Sequence, residues 1–267
     1  MVSSHEERHV GKYYQISKEM LEKLPITYMQ SRTKERQSLV DELERTLNYV
    51  MVRQVPWDLV QSMKQGTGKL TALVGRKKCG KTTCMNYLAQ YGTEQGHIVI
   101  ATQGLEFSKE TLGMLRSNDT RKSGVEIFDQ PRFTMDWFAR LNALNRNSFE
   151  KVVLKGDYSM FDFDWSADQV YDERHVKGAD TKTRTVADLV DLAIRNPADA
   201  PSLLYRFVEE MYSLTPNEPQ VLVLIDDMNF WEHPSEFVHP RTVKPIPSRQ
   251  LALVDALSKF ALKVTGM

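Results

Sequence analysis

Apolar residues in this chain fall into a few short continuous runs, set among longer stretches whose apolar positions recur every three to four residues. Three runs are strand-sized: "KLTALV" (69–74), "HIVIAT" (97–102) and "QVLVLIDD" (220–227), the last ending in two acids. Helical spacing dominates elsewhere. In "TKERQSLVDELERTLNYVMV" (33–52), Leu39, Leu43, Leu47 and Val50 share one face with charges between them. "KTTCMNYLAQYG" predicts a helix from Lys81 that Gly92 ends as a C-cap. Further helices are predicted at 108–117, at 133–146, at 184–195 (stopped before Pro197) and at 202–214. After a Pro-rich loop at 234–247, "SRQLALVDALSKFALKV" reads as an amphipathic helix with Ser248 as N-cap.

The order strand, loop, helix, strand from residue 69 onward predicts an α/β domain with a largely parallel sheet. Residues 1–66 read as a mostly helical N-terminal segment and 67–267 as the α/β domain. The acidic and aromatic stretch 156–183 keeps no period and reads as a surface excursion, either a partner-binding arm or a loop that tucks its aromatics inward.

Composition narrows the function. The chain has 267 residues, 41% hydrophobic and 26% charged, which suits a folded domain that needs no staples. No apolar run reaches the roughly 18 residues of a membrane span. Lys plus Arg and Asp plus Glu are both 35, so there is no basic excess to drive nucleic-acid binding, and any RNA contact is local. The two cysteines, Cys79 and Cys84, exclude a disulfide framework and favour a reducing compartment. "MVSSHEERHV" has no apolar signal core, and Glu6 and Glu7 argue against a mitochondrial presequence at this position. The six histidines show no metal-ligand spacing.

The chemistry concentrates in "GRKKCGKTT" (75–83), which satisfies G-x-x-x-x-G-K-[ST]. Gly75 and Gly80 allow the backbone to wrap a phosphate closely, with Arg76, Lys77, Lys78, Cys79 and Thr83 completing the loop. The helix that follows offers its positive end to the same anion. Lys81 is expected on the phosphates, and the Thr82 hydroxyl on a magnesium ion. Asp226, ending an aliphatic strand, is the expected second magnesium ligand, with Asp227 the runner-up for that role. Asp227 stands where hydrolysing relatives often place a Glu that activates water; it is the only candidate base and is one methylene shorter. No [NT]-K-x-D element for reading guanine is present, so these residues leave the base undecided.

Five patches in order resemble one family, the death-associated protein 3 family of mitochondrial small-subunit ribosomal proteins. They are "HVGKYYQIS" (9–17), the phosphate loop, "FDQP" (128–131), "VLVLIDDMNFW" (221–231) and "LALVDAL" (251–257). The resemblance implies a P-loop NTPase fold of the AAA-like branch, with helices flanking a parallel sheet. It implies GTP or GDP with magnesium in the loop, ATP being the lesser alternative. It places the chain in the head of the mitochondrial small subunit, in the matrix and away from membranes. Neighbours would be other small-subunit proteins, ribosomal RNA locally and bridges to the large subunit. The family continues past the region of "ALKVTGM" with a sensor strand and a helical lid that this sequence lacks. With Asp227 in place of Glu, the expectation is a nucleotide held as a structural ligand. The alternatives are an active GTPase or ATPase switch or motor, and a small-molecule kinase, for which "TRKSG" and "HPRTVKPIPSR" make poor Arg-rich lids.

Overall fold

The computed structural model describes residues 1–24, 48–65, 70–76, 78–104, 115–116, 125–161 and 184–265. Among these the helices, in chain order, are α1 (Lys18–Lys23), α2 (Gln54–Lys64), α3 (Lys81–Glu94), α4 (Pro131–Phe149), α5 (Val186–Arg195), α6 (Ala200–Ser213) and α7 (Ala252–Thr265). The strands are β1 (Tyr13–Gln15), β2 (Tyr49–Met51), β3 (Ile98–Gln103), β4 (Leu115–Arg116), β5 (Phe128–Asp129), β6 (Val221–Asp226), β7 (Pro234–Val238) and β8 (Pro245–Pro247). The chain is thus α/β, as expected. It divides into two compact units: Met1–Gly104 with Val221–Met228 and Lys259–Met267, and Leu105–Gln220 with Asn229–Ser258.

In the first unit β3 and β6 pair in parallel without a bulge, from Ile98 opposite Val221 to Gln103 opposite Asp226. Ile98, Val99 and Ile100 are wholly buried, which is why this run carries no polar alternation. The expected parallel sheet is realised, among the described residues, as this pair alone; the other ladders are antiparallel. The segment 70–74, expected as a third strand, takes no strand conformation, and Leu70 and Val74 are exposed. Apolar composition gives a segment strand propensity, but a strand also needs a ladder to receive its N–H and C=O groups. None lies beside 70–74 among the described residues.

Helix α3 packs on this pair and runs past Gly92 to Glu94, so Gly92 is not its C-cap. Gly96, with φ of +73°, takes the left-handed position beyond the helix end. Gly92 serves the packing instead. A Cβ there would stand 2.8 Å from Val99 Cγ2 and 3.0 Å from Leu222 Cδ2.

The N-terminal residues clasp the outer side of α3. The Glu94 carboxylate accepts the Val2 and Ser3 amides at 2.9 and 2.6 Å, His5 Nδ1 and the Tyr87 hydroxyl are 3.0 Å apart, and Tyr14 donates to Gln90 Oε1 at 3.3 Å. β1 pairs antiparallel with β2, Tyr13 facing Met51. The helix expected over 33–52 therefore does not reach its predicted end: Asn48 turns the chain at φ of +62°, and Tyr49–Met51 is extended. Residues 25–47, with the rest of that prediction, lie outside the described residues.

In the second unit α4, α5 and α6 pack together over an aromatic core. Phe207 meets Trp137, Phe138 and Phe149 edge-on, with ring centroids 5.7 to 6.1 Å apart. Thr185 caps α5 reciprocally with Asp188. Buried Glu210 on α6 takes the amides of Lys155 and Gly156 and the hydroxyl of Tyr158. That contact fixes the start of the expected surface excursion, whose residues 162–183 lie outside the described residues. Leu115–Arg116, expected within a helix, pairs instead with Phe128–Asp129. The Pro-rich stretch is a short antiparallel ribbon rather than a loop, with Ser235 Oγ donating to the Ile246 carbonyl at 2.7 Å. Ser248 does not cap α7: its hydroxyl donates to the His233 carbonyl at 2.8 Å, and it opens a 3-10 turn (Ser248–Gln250) that precedes the helix.

Candidate functional site

The loop 75–83 is part of the first unit, as are the ends of β3 and β6. Gly80 precedes α3 in the left-handed conformation, φ +91°, and no side chain caps the helix. The amides of the first turn, Lys81, Thr82 and Thr83, therefore have neither an intrahelical partner nor a cap. Lys78 is also left-handed at φ +65°, a conformation that non-glycine residues hold only under constraint. Gly75 sits where a Cβ would come within 2.9 Å of Cys79 Sγ. Lys77 lies outside the described residues.

Lys81 folds back over its own loop. Its Nζ donates to the carbonyls of Gly75 and Arg76 at 2.9 and 3.0 Å and passes 3.9 Å from Cys79 Sγ. Arg53, at the start of α2, donates from Nη1 to the Cys79 carbonyl at 2.9 Å. Arg53, Arg76, Lys78 and Lys81 form no ion pair with any carboxylate among the described residues. Like charges gathered without a counterion repel one another, and an anion relieves that repulsion.

The two acids separate in role. Asp226 Oδ2 accepts the Thr82 hydroxyl at 2.6 Å, across 144 positions of sequence, and its Oδ1 accepts the Asp227 amide. The two expected magnesium ligands are thus in direct contact. Asp227 takes a left-handed backbone, φ +53°, and its Oδ2 accepts Gln103 Nε2 at 2.8 Å. Of the two thiols, Cys79 is exposed on the loop, while burial pushes Cys84, inside α3, up to about 11.

Two residues here were not found from sequence. Gln103 ends β3 opposite Asp226, and the carboxyl ends of parallel strands are where α/β sheets place ligands, so its position was a usable signal. Arg53 belongs to no motif and had no signal. Among the described residues no group of three or more His, Cys, Asp and Glu could hold a metal ion. A magnesium ion at Thr82 and Asp226 would thus draw its remaining ligands from water and phosphate, as this ion commonly does. The uncapped helix start, the cations that meet no carboxylate among the described residues and the Thr82–Asp226 pair fit a magnesium-bound phosphate chain. Among the described residues no helix is long and apolar enough to cross a membrane.

No curated protein matches this chain significantly. The family model for mitochondrial ribosomal death-associated protein 3 matches residues 50–266, most of the chain and all of the site, and the chain belongs to that family as a component of the small subunit of the mitochondrial ribosome in the matrix.

Proposed function

We propose that this chain is a ribosomal component of the small-subunit head that holds a guanine nucleotide with magnesium on an AAA-like P-loop core, as a structural ligand. The observation that carries the reading is the Thr82–Asp226 contact at 2.6 Å beside loop cations that meet no carboxylate among the described residues. The family resemblance supplies the guanine, the head position and the neighbours: small-subunit proteins, local ribosomal RNA and bridges to the large subunit. When bound, magnesium neutralises phosphate charge and fixes its orientation. The chain's own residues do the rest. First-turn amides of α3 would bind the anion, Lys81, now on the Gly75 and Arg76 carbonyls, would donate to phosphate oxygens, and Thr82 and Asp226 would hold the ion.

Retention without cleavage is supported by Asp227. Its side chain is one methylene shorter than the Glu that activates water in hydrolysing relatives, and the Gln103 amide holds its Oδ2 from the end of β3. Lys81→Ala is expected to weaken binding of a fluorescent GDP at least tenfold, about 1.4 kcal/mol, and to reduce incorporation into the small subunit. Asp227→Asn is expected to leave both intact. Equal affinity for wild type and Lys81→Ala refutes the site. Turnover near one per second that vanishes in Asp227→Asn makes the protein an enzyme instead.

A further inference from the structure

We propose that Arg53 is a phosphate ligand of the same site, contributed from outside the motif. The inference rests on the nucleotide-binding reading above and adds a residue to it. Arg53 is pinned on both sides along the backbone. Before it, buried Val52 exchanges hydrogen bonds with the segment after His9, its amide donating to the Lys12 carbonyl and its carbonyl accepting the Gly11 amide. After it, α2 begins, the Trp57 amide donating to the Arg53 carbonyl. The side chain then reaches the turn that precedes α3. Its guanidinium donates to the Cys79 carbonyl, and a Cβ added to Gly80 would run into Nη1 and Cζ.

This arginine therefore lies against the two residues that precede α3, the helix end whose first amides have neither an intrahelical partner nor a side-chain cap. A guanidinium carries five N–H donors, and the Cys79 carbonyl takes one. The side chain is exposed and meets no carboxylate among the described residues. Hydrogen bonds from a guanidinium to phosphate oxygens are charge-assisted, roughly twice as strong as neutral ones, and can be bidentate. Phosphate thus competes well for the donors that the neutral carbonyl leaves open. Lys81 and Arg53 would then approach one phosphate chain from two elements, the ammonium from α3 and the guanidinium from the start of α2. A merely structural strap would act on the loop whatever the ligand, and this difference can be measured.

The test uses the full chain and titrates wild type, Arg53→Ala and Arg53→Lys with GMP, GDP and GTP in magnesium, with the melting temperature of each ligand-free protein as control. The expected result is an affinity about tenfold lower for GDP and GTP in Arg53→Ala, with GMP much less affected and the ligand-free melting temperature unchanged. Arg53→Lys, which keeps the charge without the fork, falls between. Unchanged GDP and GTP affinities in Arg53→Ala overturn the inference and leave the nucleotide site standing. An equal loss for all three ligands, in step with a lower ligand-free melting temperature, assigns Arg53 a structural role and also overturns it. Wild type that binds none of the three removes the nucleotide site, and this inference with it.

Discussion

At Gly92 the space for a side chain is already taken. Its α-hydrogen face lies against Val99 and Leu222, one residue from each strand of the parallel pair. Gly92→Val is expected to destabilise the protein by about 1–3 kcal/mol, the usual range for overpacking a filled core, as read by denaturant unfolding. Gly92→Ala should cost less, because alanine gains up to about 1 kcal/mol of helix propensity over glycine. The same position shows a limit of sequence reading. A glycine near a helix end signals either a left-handed cap or a close approach, and the sequence holds both kinds four residues apart. Gly96 is the cap and Gly92 the close approach. Ser248 was similarly ambiguous, since its hydroxyl serves the His233 carbonyl as readily as a helix start. The loop itself was legible: glycine, lysine and threonine at fixed spacing have few other uses. Arg53 was not, since one arginine among many becomes informative only when the fold brings it to Cys79.

Among the elements, the N-terminal clasp on α3 is the one most open to pH. Burial, with nearby positive charge adding to it, lowers His5 below its ordinary 6.5, and burial lowers His97 in the same direction. For a base whose folded value is lowered, the unfolded chain binds more protons, so stability rises with pH. The contribution is fully present well above pH 6.5 and is lost as pH falls through 6.5 towards the lower folded value. Melting temperatures taken from pH 7.5 down to 5.5 are expected to fall, and His5→Asn should flatten part of that slope; an unaltered slope would show that His5 does not couple to the clasp. Elements of this kind were only partly legible. Long apolar periodicity located α4, α5 and α6, and continuous aliphatics located β3 and β6, because burial dictates both patterns. Pairing is a property of two segments, and here composition misled. Leu70–Val74 looks like a strand and has no ladder among the described residues, whereas the proline-bearing 234–247 forms one.

Across the whole molecule, the first unit is discontinuous in sequence: Val221–Met228 joins it only after the chain has passed through the second. A chain ended after Gln220 keeps the entire motif yet lacks β6 and Asp226. It is expected to show no nucleotide binding in the same fluorescent titration, and a truncated chain that binds as the full one does would deny Asp226 its role. The α/β class and the family were both readable from ordered patches along the chain, because each patch is local. The interleaving of the two units was not, since no local pattern records which later segment returns to an earlier one.

The contact between Thr82 and Asp226 has a meaning in time as well as in space. Domains form as the chain leaves the ribosome, at about 5–20 residues per second, so the 144 positions between them take roughly 7–30 s to appear. For most of that interval β3 has been made and its ladder partner has not, and an unpaired apolar strand is a template for the wrong neighbour. Long-range pairing of this kind is also slow to form once both strands exist. The nascent protein therefore passes through a window in which it can neither close its sheet nor bring Thr82 to Asp226, and escorts that shield apolar chain segments have their greatest effect there.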